Sequence, residues 1–307
     1  FVNQRFRAQN PSNKEIIDAF FGSGSTLLGM WWWSTTAYNW HWNKSLQGQI
    51  PYSNLCRPTT VTFQNPGTRS AFTVPANTIY VLRSGQYIQN WTITMNSCSA
   101  LVWMGDVSIT KNGTFHLINA SSKNQIILDN LSLNGNNVGA TQHLIYLNSV
   151  NNFTINDVQV YNSASHWVNI SAWTDWLINN SQFFNNNVFG LYLLNSNYNI
   201  INNSRFFNNG NVGLAVVNWD YASVNNSQIF NNGNHGIHAN GVTRLIVNNT
   251  QSYKNNGAAL YATNSPYLMV NDVGFFHSPS SDLWLSNASS SVTYYWNNLI
   301  PKRSWTN

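Results

Sequence analysis

The sequence predicts an all-β fold: a right-handed, single-stranded parallel β-helix of about nine coils, with a short helical, Trp-rich N-terminal cap or arm. Three observations predict it: a strict repeat of 23 residues, hydrophobic alternation within each repeat, and Asn or Gly where the chain must turn. The repeat is marked by one asparagine in each of six successive segments: Asn156, Asn179, Asn202, Asn225, Asn248 and Asn271. A fixed period of this length indicates a solenoid of stacked units.

Within each repeat, two apolar positions flank a variable one, which is typical of strands with one buried face. The apolar columns are Ile118, Ile145, Val168, Leu191, Leu214, Ile237 and Leu260, and Ala120, Leu147, Ile170, Leu193, Val216, Ala239 and Ala262. The column between them contains Asn119, Tyr146, Asn169, Tyr192, Ala215, His238 and Tyr261. We expect the first two columns to face the core and the third to face solvent.

The segments before Asn156 join the repeat if an insertion of four residues is allowed between Asn136 and Gln142. His116, His143 and His166 then align on three consecutive coils, and earlier runs from Thr73 onward are expected to form irregular first coils. Such an insertion predicts a longer loop on one side of the solenoid.

Residues 1–55 lie outside the repeat and are expected to form a separate cap or docking segment, followed by the β-helix over 56–295 and a tail over 296–307. A capping-box pattern of Ser12 and Glu15 predicts one short helix that ends at Gly22. Five closely spaced tryptophans follow it: Trp31, Trp32, Trp33, Trp40 and Trp42. Their apolar area either closes the open end of the solenoid or docks onto a neighbouring subunit.

Charge and hydropathy exclude several classes of protein. Only 7% of residues are charged, and the net charge of +5 is spread along the chain without the basic cluster that nucleic-acid binding requires. No apolar stretch is long enough to span a membrane. The chain starts at Phe1, so we expect an export signal or a longer precursor to have been removed, and the Asn-rich, charge-poor composition favours an extracellular location.

Cys56 and Cys98 are the only cysteines. In an exported protein they are expected to form a disulfide, and two buried thiols are the alternative. Glycosylation sequons off the repeat, at Asn43, Asn90, Asn112 and Asn287, are the expected acceptors in a glycoprotein. Sequons on the repeat, such as Asn179, are expected to form a structural ladder instead.

The phrases Ile200-Ile-Asn-Asn-Ser-Arg-Phe-Phe-Asn-Asn and Gly236-Ile-His-Ala-Asn resemble the parallel β-helix repeat family, which contains pectate lyases, polygalacturonases, phage tailspikes and NosD-type periplasmic proteins. The resemblance covers the regular coils and implies the fold, but the repeat motif encodes coils and not an active site. Similarity to pectate lyases would also imply a calcium-binding Asp cluster with a basic residue, and no column of this sequence supplies one.

Acidic residues are too scarce and too scattered to predict the paired carboxylates of a glycoside hydrolase. The coils contain Asp129, Asp157, Asp175, Asp220, Asp272 and Asp282, and Asp106 lies in the irregular part. The histidine column of His116, His143 and His166 could bind a metal or supply general bases, or it could be a stacked ladder in which His and Phe are interchangeable. We therefore expect no catalytic residues, no cofactor and no metal.

The absence of a site predicts a non-enzymatic extracellular structural protein that polymerises through its N-terminal segment into a cell-surface fibre, filament or layer. One alternative is a carbohydrate-binding adhesin in which Tyr146, Tyr192 and Tyr261 stack on glycans. The second alternative is a polysaccharide lyase or glycoside hydrolase.

Overall fold

The structure, a computed structural model, describes residues 59–138, 142–164, 168–196 and 199–286, and the backbone of four strands outside these ranges. Within them, the side chains of 103–106, 172–175 and 196 are not described. The helix predicted after Pro11, and also Cys56, His166 and Asn287, lie outside the described residues.

The described residues form an all-β structure without a helix, which confirms the predicted fold class. In chain order the strands are β1 (Met30–Ser34), β2 (Asn39–Asn43), β3 (Thr60–Gln64), β4 (Gly67–Arg69), β5 (Phe72–Val74), β6 (Thr78–Gln89), β7 (Ile93–Met95), β8 (Ser99–Lys111), β9 (Ile118–Ser121), β10 (Asn124–Asp129), β11 (Ser132–Asn134), β12 (Ile145–Asn156), β13 (Gln159–Tyr161), β14 (Val168–Asn179), β15 (Gln182–Phe184), β16 (Leu191–Ser196), β17 (Asn199–Asn202), β18 (Arg205–Phe207), β19 (Leu214–Asn225), β20 (Gln228–Phe230), β21 (Ile237–Asn248), β22 (Gln251–Tyr253), β23 (Leu260–Thr263), β24 (Tyr267–Asn271), β25 (Gly274–Phe276), β26 (Leu283–Ser286), β27 (Ser291–Tyr294) and β28 (Arg303–Thr306).

These strands stack into three parallel sheets that wind as a right-handed β-solenoid of about 9 turns. The first sheet contains β5, β7, β9, β16, β23, β26, β28 and the first halves of β12, β14, β19 and β21. The second sheet contains β3, β10, β17, β24, β27, the first halves of β6 and β8, and the second halves of β12, β14, β19 and β21. The third sheet contains β4, β11, β13, β15, β18, β20, β22, β25 and the second halves of β6 and β8.

The core lies between the three sheets and follows the predicted alternation. Ile145 pairs with Val168 and Leu147 with Ile170, one coil apart, and all four side chains are fully buried. The residue between them, Tyr146, is only half-buried because it points outward. The 23-residue period therefore comes from one complete turn of the backbone, which places equivalent side chains directly above one another.

Each coil turns at three corners, and each corner of a regular coil contains one residue in the left-handed region. In the coil that starts at Leu214 these residues are Asn218, Asn226 and Asn231, with φ of 56, 50 and 55°. Asparagine tolerates this conformation better than most residues, because its short polar side chain can bond to the local backbone. The corners explain why the chain is so rich in asparagine.

At the corners, some backbone N–H and C=O groups are buried and need hydrogen-bond partners. Asparagine side chains stacked on successive coils, called ladders here, supply these partners. Asn232 is buried, its Nδ2 donates to Asn255 Oδ1 (2.9 Å) and Phe206 O (3.1 Å), and its Oδ1 accepts the backbone N–H of Asn209 (3.1 Å). The same pattern recurs at Asn186 and Asn209. Each bond contributes about 1 kcal/mol, and losing one member leaves several buried groups without a partner.

The sequons on the repeat belong to a second ladder at the corner between the second and third sheets. Asn179 is fully buried and its Nδ2 donates to Asn156 Oδ1 (2.9 Å), while Ser181 Oγ donates to Asn179 O (2.8 Å) and accepts the backbone N–H of Val158 (3.1 Å). The Asn-x-Ser pattern at Asn179 is therefore a structural signal, and it leaves no room for a glycan.

Strands at both ends of the chain pair with the solenoid. β1 and β2 form an antiparallel hairpin, and Trp33 of β1 pairs with Met104 of β8. β27 and β28 extend the second and first sheets beyond β24 and β26. Among the described residues, no helix is long and apolar enough to cross a membrane.

Candidate functional site

The outer surface of the first sheet, together with the corner that precedes it, is called the first face here. It contains the outward column of Asn119, Tyr146, Asn169, Tyr192, Ala215, His238, Tyr261 and Trp284, and the histidine column that ends the preceding corner. The two columns lie side by side because a histidine and the outward residue of its coil are three positions apart. Rings from both columns form two clusters on this face.

The lower cluster consists of His116, His143 and Tyr146. The ring centroids of His116 and His143 are 5.2 Å apart with an interplanar angle of 5°, and Tyr146 lies 4.5 Å from His116 and 5.3 Å from His143. All three side chains are half-buried. Two imidazoles and a phenol are thus held in contact at one point of the first face, which gathers three groups that can exchange protons.

One histidine of this cluster has its tautomer fixed by the backbone. His116 Nδ1 accepts a hydrogen bond from the backbone N–H of His143 (3.1 Å). Neutral His116 therefore carries its proton on Nε2 and presents an N–H donor. The stacked arrangement agrees with the interpretation of this column as a ladder of rings. The fixed tautomer means that this ladder also presents a defined hydrogen-bond donor, the Nε2–H of His116.

Lys111 lies below the same corner and was not singled out in the sequence. Its side chain is 1% exposed, its Nζ donates to Gln142 O (3.4 Å), and the ammonium lies 5.7 Å from the centroid of the Phe115 ring. Burial lowers the pKa of Lys111 to about 8. Because Gln142 immediately precedes His143, the ammonium is bonded to the backbone next to the lower cluster.

The upper cluster consists of His235, His238, Tyr261 and Trp284, about five coils or roughly 24 Å along the solenoid. The Tyr261 ring lies 4.6 Å from His235 and 5.2 Å from His238, and it meets Trp284 edge-on at 5.3 Å. His235 Nδ1 accepts the backbone N–H of Ala258 (2.9 Å). Burial, together with the neighbouring His238, lowers the pKa of His235 to about 4, so this imidazole is neutral in most buffers.

Between the clusters, Tyr192 lies at 5.6 Å from Phe189 with tilted rings. The outer surface of the third sheet carries a different aromatic stack, formed by Tyr161, Phe184, Phe207, Phe230, Tyr253 and Phe276 at centroid distances of 4.9–5.3 Å. Each ring in this stack covers the faces of its neighbours, so only ring edges are open to a ligand. The tyrosines of the first face are the better candidates for contact with a sugar.

Among the side chains that the structure describes, the two aspartates of the lower coils, Asp129 and Asp157, lie away from the first face. Asp129 is buried and accepts a hydrogen bond from Asn156 Nδ2 (2.8 Å), which also donates to Asp157 (2.9 Å), at the corner between the second and third sheets. Burial raises the pKa of Asp129 to about 8 and also raises the pKa of Asp157. No group of three or more His, Cys, Asp or Glu that could hold a metal ion occurs among the residues the structure describes.

The remaining predicted residues are distributed away from these clusters. Cys98 is disulfide-bonded. Asn112 Nδ2 donates to Asn90 Oδ1 (2.9 Å) at the surface of the early coils. Trp31, Trp32 and Trp33 lie in β1, and Trp40, Trp42 and Asn43 lie in β2, where only the backbone is described.

Sequence reasoning missed Lys111, the upper cluster and the acidic pair. The upper cluster could have been found by placing the two columns of the first face side by side, since His235 and His238 repeat the spacing of His143 and Tyr146. Lys111 has no such signal, because it lies outside the regular repeat and its contact with Gln142 spans 31 positions of the chain.

The sequence matches the family described as right handed beta helix region over residues 143–299, about half of the chain, and the chain therefore belongs to that family. A comparison with curated protein sequences finds no match. The solved structures that share the fold include the A-modules of the Azotobacter vinelandii mannuronan C-5 epimerases AlgE4 and AlgE6. AlgE4 is 11% identical, with a TM-score of 0.54 over 75% of this chain and 85% of that chain; AlgE6 is 13% identical, with a TM-score of 0.50 over 72% and 79%. A mutant of the periplasmic alginate epimerase AlgG is 9% identical, with a TM-score of 0.50 over 81% and 84%.

This result corrects one expectation. The sequence predicted a non-enzymatic structural protein of a fibre, filament or layer, and that interpretation is wrong: the structural neighbours of this coil arrangement are enzymes named for action on polysaccharides. The expectation rested on the absence of paired carboxylates, and that absence does not exclude sites built from other groups. At these identities the likeness itself concerns the fold.

Proposed function

We propose that this chain is a polysaccharide-active enzyme that moves protons on an acidic polysaccharide bound along the first face. The observation that carries the proposal is the contact of His116, His143 and Tyr146, beside the backbone carbonyl of Gln142 to which the buried ammonium of Lys111 donates. The enzymes that share the fold, which are named as mannuronan and alginate epimerases, are consistent with this class of substrate.

The groups in the lower cluster suit proton transfer beside a carboxylate better than hydrolysis. Hydrolysis of a glycosidic bond uses two carboxyl groups on either side of it, and the described aspartates of these coils lie at the corner between the second and third sheets. Removing the proton on the carbon next to a uronate carboxylate instead requires a base, a proton donor and positive charge to stabilise the carbanion that forms. His143 and Tyr146 are the proton-transfer pair in this proposal.

His116 and Lys111 complete the site. The Nε2–H of His116 donates to an oxygen of the substrate, because its Nδ1 is occupied by the backbone N–H of His143. Lys111 is buried and acts through its charge rather than by touching the substrate. The proton leaves the substrate to the base. The donor then either adds a proton to the opposite side of the carbanion, which inverts the carbon, or protonates the neighbouring glycosidic oxygen as the electron pair of the carbanion expels it, which leaves a double bond.

The test is to incubate the protein with alginate and with polygalacturonate in D₂O and to measure deuterium on the sugar rings by NMR, and unsaturated uronate by its absorbance. Deuterium on the ring carbon reports abstraction followed by return of a proton, and unsaturated uronate reports abstraction followed by elimination. We expect His143→Ala to reduce the exchange at least about 100-fold, the usual contribution of a general acid or base. Tyr146→Phe keeps the ring stack and should also reduce the exchange strongly.

Tyr192→Phe is the matched control, because Tyr192 occupies the same outward column two coils away. It keeps the ring that can stack on the polymer and removes only a hydroxyl two coils from the lower cluster, so it should leave the exchange within about twofold of the unmodified protein. Binding of either polymer with neither deuterium uptake nor unsaturated uronate would contradict the proposed activity. Equal loss of activity in Tyr146→Phe and Tyr192→Phe would move the site away from the lower cluster.

A further inference from the structure

A cleft of about 320 Å³ lies on the outer surface of the third sheet, away from the first face. It follows one outward column of the early coils, in which Gln86, Ser108, Ser132 and Gln159 pair in register. The two serines are half-buried and short, whereas the glutamines above and below them are exposed and long. The cleft exists because two successive coils carry a short serine side chain in a column that carries glutamine on the coils before and after them.

The walls of the cleft are polar and its floor is apolar. Asn130 and Asp157, which occupy left-handed corner positions with φ of 55 and 52°, border it on the side of the second sheet. Val107 and Leu131 form the floor and are nearly buried. Ser132 Oγ donates to Tyr161 OH (3.4 Å), so a phenol lies close to the opposite side.

Asp157 gives the cleft a carboxylate whose orientation is fixed by a hydrogen bond from the buried Asn156. Asn156 Nδ2 donates to Asp157 Oδ2 (2.9 Å) and to Asp129 Oδ1 (2.8 Å), and Asn156 itself is fully buried. Because one residue holds both carboxyl groups, Asp157 is fixed at the edge of the cleft. Its half-buried side chain faces Asn130, Ser132 and Gln159 among the lining residues.

The composition of the lining selects one class of ligand. Calcium takes six or more oxygen ligands and usually several carboxylates, whereas a single carboxylate lines this cleft. Serine hydroxyls and glutamine amides both donate and accept hydrogen bonds, as sugar hydroxyls do. A volume near the lower end for small-molecule sites fits one or two sugar rings.

We propose that the cleft between Gln86 and Gln159 is a binding site for a neutral saccharide, separate from the polysaccharide site of the first face. The ligand's hydroxyls bond to Ser108, Ser132 and the two glutamine amides, and Asp157 accepts a charge-assisted hydrogen bond from one of them. The apolar floor of Val107 and Leu131 contacts the carbon face of the ring.

The test is saturation-transfer NMR on the full chain with D-glucose, D-mannose and D-galactose and their disaccharides as probes. Ser132→Phe places a large side chain in the cleft from an outward strand position, and it should abolish the saturation transfer to a saccharide bound there. Gln182→Phe is the matched control, because Gln182 lies in the same column one coil beyond Gln159 and should keep the signal. Far-ultraviolet circular dichroism checks that both variants remain folded.

Asp157→Asn provides a second variant that preserves the corner, since asparagine occupies this left-handed position at Asn180 and Asn203. It should weaken saccharide binding about tenfold, the loss expected for one charge-assisted bond. Because the cleft is on a different sheet, His143→Ala should leave this binding unchanged while it removes the activity of the first face. The absence of any saccharide signal, a signal that survives Ser132→Phe, or calcium binding that excludes saccharides would overturn the proposal.

Discussion

The coils between Lys111 and Tyr161 and the coils between Gln228 and Trp284 share the same arrangement of strands but bury different ionisable groups. The lower coils bury Lys111 and Asp129 and half-bury Asp157. In the upper coils the equivalent ladder is made of neutral amides, where Asn271 Nδ2 donates to Asn248 Oδ1 at 2.8 Å, and the buried carboxyl group is that of Asp282, whose Oδ1 accepts the backbone N–H of Ser278 (3.2 Å). Each region also carries a histidine whose Nδ1 accepts a backbone N–H from the next coil.

At Asp129 and Asp157 the lower coils carry an ionisable group where most coils of the repeat carry a neutral amide. A neutral amide stabilises the corner at little cost, whereas a buried charge costs several kcal/mol unless it is fully paired. Groups with strongly shifted pKa values are concentrated at functional sites more often than elsewhere. The lower coils, which border both the proposed active site and the saccharide cleft, hold such groups on two different sheets.

Among the changes that test this difference in buried groups, the largest effect is expected from removing the buried ammonium of the lower coils with Lys111→Met. We expect deuterium exchange on an acidic polysaccharide to fall about tenfold, because positive charge beside the reacting carbon is lost. In the unmodified protein, activity should decline as pH rises through about 8, where Lys111 loses its proton. The variant should lack this decline in its pH–rate profile.

The same variant should be more stable than the unmodified protein. The folded chain lowers the pKa of Lys111, so the folding penalty of this residue is full below about 8 and disappears as pH rises past its ordinary value. Lys123→Met removes a charge from the same coils and should change neither property. A Lys111→Met variant that melts at lower temperature would show that the ammonium stabilises the corner.

The next effect concerns Asp129, the charged end of the asparagine ladder. Its pKa is raised to about 8, so the protein should lose stability as pH rises from about 4 to about 8 and the carboxyl group ionises inside the fold. Asp129→Asn should stabilise the protein by roughly 2 kcal/mol at pH 9 and by much less at pH 4. Thermal melts at both pH values measure the difference.

Asp272→Asn supplies the control in the upper coils, because Asp272 is exposed at a corner where other coils have asparagine. It should alter the melting temperature equally little at both pH values. If Asp129→Asn gave the same small change at both pH values, the buried carboxyl group would have to be paired better than its single bond to Asn156 indicates.

The smallest effect is expected at His235 of the upper coils. Its lowered pKa means that stability should fall as pH decreases from about 6.5 to about 4, because protonation of Nδ1 breaks the bond from the Ala258 N–H. His235→Gln should flatten this dependence by less than about 1 kcal/mol, since solvent screens a half-buried imidazole. Melts of the variant between pH 4 and 7 check it, with the surface variant His277→Gln as the reference.

Most of the fold could be predicted from the sequence, but little of the candidate site could. The columns that begin at Ile118 and Ala120 are inward as predicted, because period-two alternation and a fixed repeat length leave few other arrangements. The stacked imidazoles of His116 and His143 also follow from the repeat. Tyr146 was noted only as an outward ring, and its contact with both histidines depends on the rotamers that neighbouring coils permit.

The sequence by itself determined the number of residues per coil, the inward faces and the asparagine corners, since these properties are local and repeat at a constant interval. Only the tertiary structure decided which ionisable groups are buried, because burial depends on loops and coils that are distant in the chain. Lys111 contacts Gln142 across 31 positions, and Asp129 meets Asn156 across 27. The Lys111 contact lies outside the repeat, so periodicity carries no information about it, whereas the Asp129 contact follows the asparagine ladder with a carboxyl group in place of an amide.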